Sequence, residues 1–320
     1  MLSQLELSDR VAALVDRVRV APDGLSAETA GETYEAETPH ALARLLGNAL
    51  YQTLHSGREK PLAAMLRTWR EPAFDALLAE ATGPRTVTVS GRPVRTEEAH
   101  SIVDLDGVRV RMPAAAVATD AVGVRVTLPS ARPGLSPGFF LTMSGGDRFA
   151  DNGLLLRLYA RLEDPDAAST VWRTLVTFLE DAAVPYRTKI SSSRLLYPRN
   201  DAIVVYLPRP GWRVARACAE ALQGTGLLGS GTSPFTHPIT ESVGCAFEPD
   251  DQRPGKKDLS FGQHRTRIFA EALVRHAALA PDQRGPVTES IATAFIDGGI
   301  DPSEPARNLA SPVVSVLRTF

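Results

Sequence analysis

The residues of this sequence best suited to chemistry are basic and phenolic, and they fall in three places. Arg157, Tyr159 and Arg161 alternate along one short segment. Arg187 and Lys189 come next, with Arg194 and Arg199 beyond them. His264-Arg265-Thr266-Arg267 forms the third group. Guanidinium groups bind oxyanions through paired hydrogen bonds. Neighbouring positive charge favours the neutral form of a lysine, and a neutral lysine can act as a base. Lys189 is therefore a candidate base and Tyr159 a candidate proton donor. From spacing alone Lys189 reads equally as an exposed lysine on an edge strand, and any single arginine as a solvated charge. Three clusters in one unit point to an anionic ligand such as phosphate.

The elements that must position these residues can be read from periodicity. Leu154, Leu156, Leu158, Ala160 and Leu162 alternate with Leu155, Arg157, Tyr159 and Arg161, the pattern of a strand with one apolar and one mixed face. Asp164-Pro165 then supplies an N-cap and a first-turn proline for a helix over 165–183. Tyr186–Ser191 reads as a strand, and the wholly apolar Ala202–Leu207 as a central one. A right-handed crossover would bring Tyr159 and Lys189 to one surface. A helix over Trp212–Leu222 stops at Gly224. Ser260 and Gln263 have capping-box spacing at the start of a helix reaching Ala278, and another helix starts at Pro286. The His264–Arg267 group thus falls in the first turns of a helix, where an anion would be favoured and cations are otherwise unexplained.

The N-terminal part predicts an amphipathic helix over Met1–Val20, a polar stretch to Pro39, and helices over 40–55 and 71–81. Strands follow at 86–89, 107–111 and 123–128. Pro129 to Gly138 is dense in chain breakers and marks the best boundary. The expected class is α/β (α+β), a mixed sheet with flanking helices beside a smaller helical and stranded N-terminal region. The expected domains are 1–136 and 137–320.

Composition closes several routes. With 43% hydrophobic residues in 320, a core of native size can form, and a net charge of -2 gives no footprint for nucleic acid or an anionic membrane. Cys218 and Cys245 suggest no disulfide framework. No apolar window is long enough to span a bilayer, and the first residues lack a signal peptide pattern, so a cytoplasmic location is expected. Gly224-Thr225-Gly226-Leu227-Leu228-Gly229 has dinucleotide-binding spacing but follows a helix. Gly134-Leu135-Ser136-Pro137-Gly138 has nucleophile-elbow spacing but runs into a strand. No P-loop, kinase signature or metal-ligand spacing is present, so neither a metal nor another cofactor is expected.

Several runs carry a resemblance to a known family. They are Arg157-Leu158-Tyr159, the segment 184–189 (Val-Pro-Tyr-Arg-Thr-Lys), the segment 197–206 (Tyr-Pro-Arg-Asn-Asp-Ala-Ile-Val-Val-Tyr), Pro234-Phe235-Thr236 and Ser260-Phe261-Gly262-Gln263-His264-Arg265. Together they resemble the HopA-type effector domain over about residues 137–278. In the N-terminal third only Leu50-Tyr51 and His55-Ser56-Gly57 contribute. Domains of this family occur as plant-pathogen effectors and beside a small kinase in pathways to class V lanthipeptides and thioamide-containing peptides. The resemblance implies a phosphoserine/phosphothreonine lyase, which eliminates phosphate from a kinase-phosphorylated ribosomal precursor peptide to leave dehydroalanine or dehydrobutyrine. The implied partners are that peptide and a dedicated kinase, with a heterodimer docked on the N-terminal third as one arrangement, and no nucleic acid and no membrane. A more distant resemblance, to the phosphothreonine lyases, implies Lys189 as base and Arg157 as a phosphate ligand. Tyr159 stands where that family has its general-acid histidine, so Tyr159, His264 and His237 remain candidate acids. Arg199, Arg194 and Arg265 join Arg157 as candidate phosphate ligands. The rival reading is a non-catalytic effector-like or scaffold module that holds a kinase or a phosphopeptide with the same arginines.

Overall fold

The structure is a computed structural model that describes residues 6–61, 70–105, 107–120, 123–145 and 154–315. It has an α+β fold. In place of the long first helix stands a short one, α1 (Asp9–Ala12); residues 1–5 of the expected helix lie outside the described residues. Leu7, Val11 and Leu14 are buried as the periodicity requires. The β-branched Val18 and Val20, however, leave the helix and form strand β1 (Val18–Val20). It pairs antiparallel with β2 (Ser26–Thr29), which pairs with β3 (Glu32–Glu35). The polar stretch hides these strands because their outer faces are solvated. Ala30 and Gly31 turn the hairpin, both with positive φ (52° and 77°), as a two-residue hairpin turn demands.

Helix α2 (Pro39–Leu50) starts where Thr38 accepts a hydrogen bond from the Ala41 amide, and it runs into a π-helical turn over Tyr51–His55. After α3 (Pro72–Thr82) comes a separate five-stranded sheet. Its members are β4 (Thr86–Thr96), β5 (His100–Leu105), β6 (Val108–Pro113), β7 (Val117–Thr119) and β8 (Val124–Pro129). They lie in the order β6-β5-β4-β8-β7 over a small core of Val103, Val124 and Val126.

The principal sheet begins inside the breaker-rich stretch, with β9 (Arg132–Ser136) and β10 (Phe139–Met143). Pro133 is tolerated because β9 is an edge strand with no ladder partner on its outer side among the described residues. Strand β11 (Leu156–Leu162) leads through α4 (Ala168–Asp181) to β12 (Arg187–Ser191), and then to β13 (Arg199–Leu207) and α5 (Ala215–Gln223). Strands β14 (His237–Pro238) and β15 (Val243–Phe247) precede α6 (Phe261–Ala277) and α7 (Val287–Asp297). Among the described residues the order is β14-β15-β11-β13-β12-β10-β9, so the all-apolar strand is indeed central. Both β11 and β12 are antiparallel to β13, so they run parallel to each other with β13 between them.

Alternation sorts side chains onto two cores. Leu156, Leu158 and Leu162 join Trp172 of α4 and Cys218 of α5 on one face. Leu155, Tyr159, Val204 and Tyr206 join residues of α2, α6 and α7 on the other, among them Leu46 and Phe269. The second core combines the N-terminal helix α2 with the C-terminal α6. The two failed motifs read as their context predicts: Gly224 caps α5, and Gly134–Gly138 spans β9 and its turn. No helix among the described residues is long and apolar enough to cross a membrane.

Candidate functional site

Strand register builds the centre of the site. Tyr159 lies opposite Val204, which lies opposite Lys189; Arg157 lies opposite Tyr206, which lies opposite Arg187. Residues two apart share a face, so this face carries a patch of three cations and two phenols. Arg157, Tyr159 and Lys189 line one cavity of about 710 Å³. Tyr51 and His55 of the π-helical turn also line it, as do Phe139, Glu248 and the first turn of α6.

The electrostatics of this cavity are specific. Arg157 forks onto the Glu248 carboxylate and also donates from Nη1 to the Tyr159 hydroxyl at 3.5 Å. Three cations share the Tyr206 ring: Arg157 at 4.8 Å from its centroid, Arg187 at 5.2 Å and the Lys189 ammonium at 5.9 Å. Lys189 also stands 4.1 Å above the Phe139 ring, and it makes no hydrogen bond or ion pair among the described residues. Burial pushes the Tyr159 phenol far above its ordinary range, with Arg157 pulling the other way, so the phenol holds its proton at neutral pH. Below it, Arg199 forks onto Asp201 at 2.7 and 2.8 Å, and Asp201 accepts from the Tyr51 hydroxyl at 3.1 Å. His55 packs edge-on against Tyr159, and Gly262 is required beside it because a Cβ there would strike the imidazole. Helix α6 opens into the cavity; its Ser260–Gln263 capping box forms as the spacing predicts. At its N-terminus the first amides have no intrahelical acceptor.

The expected site is therefore brought together in part. Arg157, Tyr159 and Lys189 converge. Arg199 lies next to the cavity but is spent on Asp201. Arg194 is on the surface, paired with Asp166 and stacked on Phe74, because the short helical turn after β12 carries it away from the sheet face. Arg265 is wholly buried, not in the cavity: it donates to Pro305 O, Asn308 Oδ1 and the His264 Nδ1. His264 accepts that bond and donates from Nε2 to Asp251 at 2.9 Å, so both ring nitrogens are engaged. His237 pairs with Glu304. Neither histidine lines the cavity; the one that does is His55. Tyr51, His55, Asp201, Tyr206 and Glu248 are site residues that clustering of basic groups does not reveal. Tyr51 and His55 could have been paired by their helical spacing of four.

Burial lowers the pKa of His55 to about 4, as it does that of His264, where Arg265 adds to the effect. Their ordinary value is 6.5. Between those values the unfolded chain binds more protons than the folded one, so stability falls as pH drops from about 6.5 to about 4. Each ring contributes on the order of 3 kcal/mol over the full window. Denaturant unfolding at pH 7 and pH 4.5 should show a clearly lower midpoint at pH 4.5; a flat profile would contradict the neutral buried pair.

Residues 130–307 match the HopA1 effector protein family. The chain belongs to that family. The HopA1 match contains Arg157, Tyr159, Lys189, Asp201 and Glu248, and it leaves out Tyr51 and His55. Among solved structures, the effector protein from Pseudomonas syringae pv. tomato strain DC3000 is 17% identical, with 53% of this chain and 62% of that chain covered and a TM-score of 0.40. The chain thus spans less than two thirds of that effector. The effector protein from Pseudomonas syringae pv. syringae strain 61 is 14% identical, with 84% and 94% covered and a TM-score of 0.46. No curated protein matches the chain.

Proposed function

We propose that this HopA1-family chain is a phosphoserine/phosphothreonine lyase acting on a kinase-phosphorylated ribosomal precursor peptide. The observation that supports the reading best is the row Tyr159–Val204–Lys189, which sets a phenol and an amine with no hydrogen bond or ion pair among the described residues on either side of one residue in the cavity floor. In the proposed step the Lys189 amine takes the Cα proton of the phosphorylated residue. The Cα–H electron pair forms the Cα=Cβ bond as the Cβ–O bond breaks, and phosphate departs with that bonding pair. Tyr159 gives its proton to the bridging oxygen, and Arg157 beside it stabilises the phenolate charge that develops. The cations around Tyr206 and the N-terminus of α6 favour the phosphate dianion. The products are inorganic phosphate and dehydroalanine or dehydrobutyrine. A dedicated kinase would supply the phosphorylated residue, and a heterodimer docked on the N-terminal third is part of the proposal.

The rival reading is a module that only binds a phosphopeptide, through the cations grouped around Tyr206. Incubation with a phosphorylated peptide, followed by mass spectrometry, separates the two. Loss of phosphoric acid marks elimination, and an unchanged peptide mass favours the binding module. Tyr159→Phe keeps the ring and removes only the hydroxyl. It should lower the elimination rate by about 10²-fold or more with phosphopeptide affinity retained. A wild-type rate would move the acid to another cavity phenol, Tyr206 or Tyr51.

A further inference from the structure

Arg265 does not touch the cavity, yet what it holds does. Its guanidinium donates to Pro305 O at 2.9 Å, Arg307 O at 3.2 Å and Asn308 Oδ1 at 2.8 Å, so it organises the strap that follows α7. Asn308 is fully buried, and its Nδ2 donates to the backbone carbonyl of Glu248 at 2.7 Å. One residue earlier, the Phe247 amide donates to Ala306 O at 2.8 Å. The Glu248 carboxylate is the one forked by Arg157.

We propose that Asn308 is a positioning residue for the cavity: it fixes the backbone of Glu248, and through Glu248 the guanidinium that faces the phosphate. The physical reason is the exposure of Glu248. Its side chain is 31% exposed and is held by the guanidinium of Arg157. Its backbone is tied by two bonds, its amide to Leu155 O at 2.9 Å and its carbonyl to Asn308. The first belongs to the sheet. The second is made by a side-chain amide whose Oδ1 is held by Arg265, while the main-chain N–H of Asn308 donates to Ser311 Oγ at 2.9 Å and anchors its backbone. A side-chain amide has an acceptor end and a donor end, and here both are used, one for the strap and one for the site. The strap is thus coupled to Arg157 through a continuous chain of hydrogen bonds.

The inference rests on the lyase reading for its substrate, and the test separates the two. Asn308→Asp keeps the acceptor for Arg265 and removes the donor to Glu248; Asn308→Ala removes both. Melting temperature, calorimetric affinity for inorganic phosphate, and kcat and KM on a phosphopeptide are measured for each. Asn308→Asp is expected to melt somewhat below the wild type, because its second oxygen opposes the Glu248 carbonyl, and to bind phosphate about tenfold more weakly, the effect of losing one hydrogen bond that orients a charged group. KM should rise with it. Asn308→Ala should lose both stability and affinity. Wild-type phosphate affinity in Asn308→Asp overturns the proposal and leaves Asn308 as a prop for Arg265 alone. If Asn308→Asp does not fold, Ser311→Ala loosens Asn308 without touching Arg265 and should weaken phosphate binding severalfold; unchanged affinity there overturns the proposal equally. A wild type that binds phosphate and eliminates nothing removes the lyase reading but not the positioning role. A wild type that does neither overturns both.

Discussion

Lys189→Met is expected to bind phosphorylated peptide and leave it unconverted, with elimination slowed by about 10²–10⁴-fold, the usual cost of removing one proton-transfer group. Methionine retains an unbranched stem to lie against Phe139 and removes the amine that stands over it. Lys189 makes no hydrogen bond or ion pair among the described residues, so its loss strands no buried partner. Stability should therefore stay within about 0.5 kcal/mol of the wild type, as for other substitutions that break no such feature. Single-turnover assays on a phosphopeptide, with binding followed separately, would read both effects. An unaltered elimination rate in Lys189→Met would remove the base and favour the binding module.

Arg199→Ala should act in a different currency. The resemblance assigns Arg199 to phosphate, but its fork is closed on Asp201, with both side chains at 3% and 5% exposure. Against the upward push of burial, Arg199 holds the Asp201 carboxyl well below the usual carboxylate range. Removing the guanidinium leaves a buried carboxylate whose remaining contacts are Tyr51 and His55. Breaking a buried pair from one side typically costs about 3–5 kcal/mol, so the variant should unfold at much lower denaturant than the wild type. Arg199→Met combined with Asp201→Asn removes both charges and keeps a partner for the Tyr51 hydroxyl. It should recover more than half of the loss. Denaturation followed by circular dichroism measures this. An Arg199→Ala protein of wild-type stability that binds phosphate weakly would return Arg199 to the role of ligand.

Strand β13 is read by two rules at once. Val204 and Tyr206 face the cavity by simple alternation from one another. Asp201 faces it too, three residues before Val204, which alternation forbids. The pairing of β11 with β13 shifts register at this point, between Ala160 and Leu162. An irregularity of this kind re-aims side chains and leaves no mark in a hydrophobic pattern. Arg199 and Asp201, two residues apart on this strand, share one face, and there the fork between them neutralises the cation.

The sequence by itself determined the elements whose apolar period is long and whose ends are chemically marked. These are β11, α4, β12 and β13, and α6 with its Ser260–Gln263 cap. With them come the α+β class, the HopA-type resemblance and the convergence of Arg157, Tyr159 and Lys189, since local patterning and one crossover suffice to put those three on one face. Short strands with solvated outer faces, β1 to β3, escaped because little of their surface is buried in a periodic way. The partners of the cations were decided only by the tertiary structure. Glu248 meets Arg157 from β15's end, Tyr51 and His55 arrive from a helix nearly 150 residues away from Asp201, and Arg265 turns inward to the strap. Burial is the physical reason: a charge removed from water must find an opposite charge or a row of carbonyls. Which one it finds depends on residues that the fold, not the spacing, brings within reach.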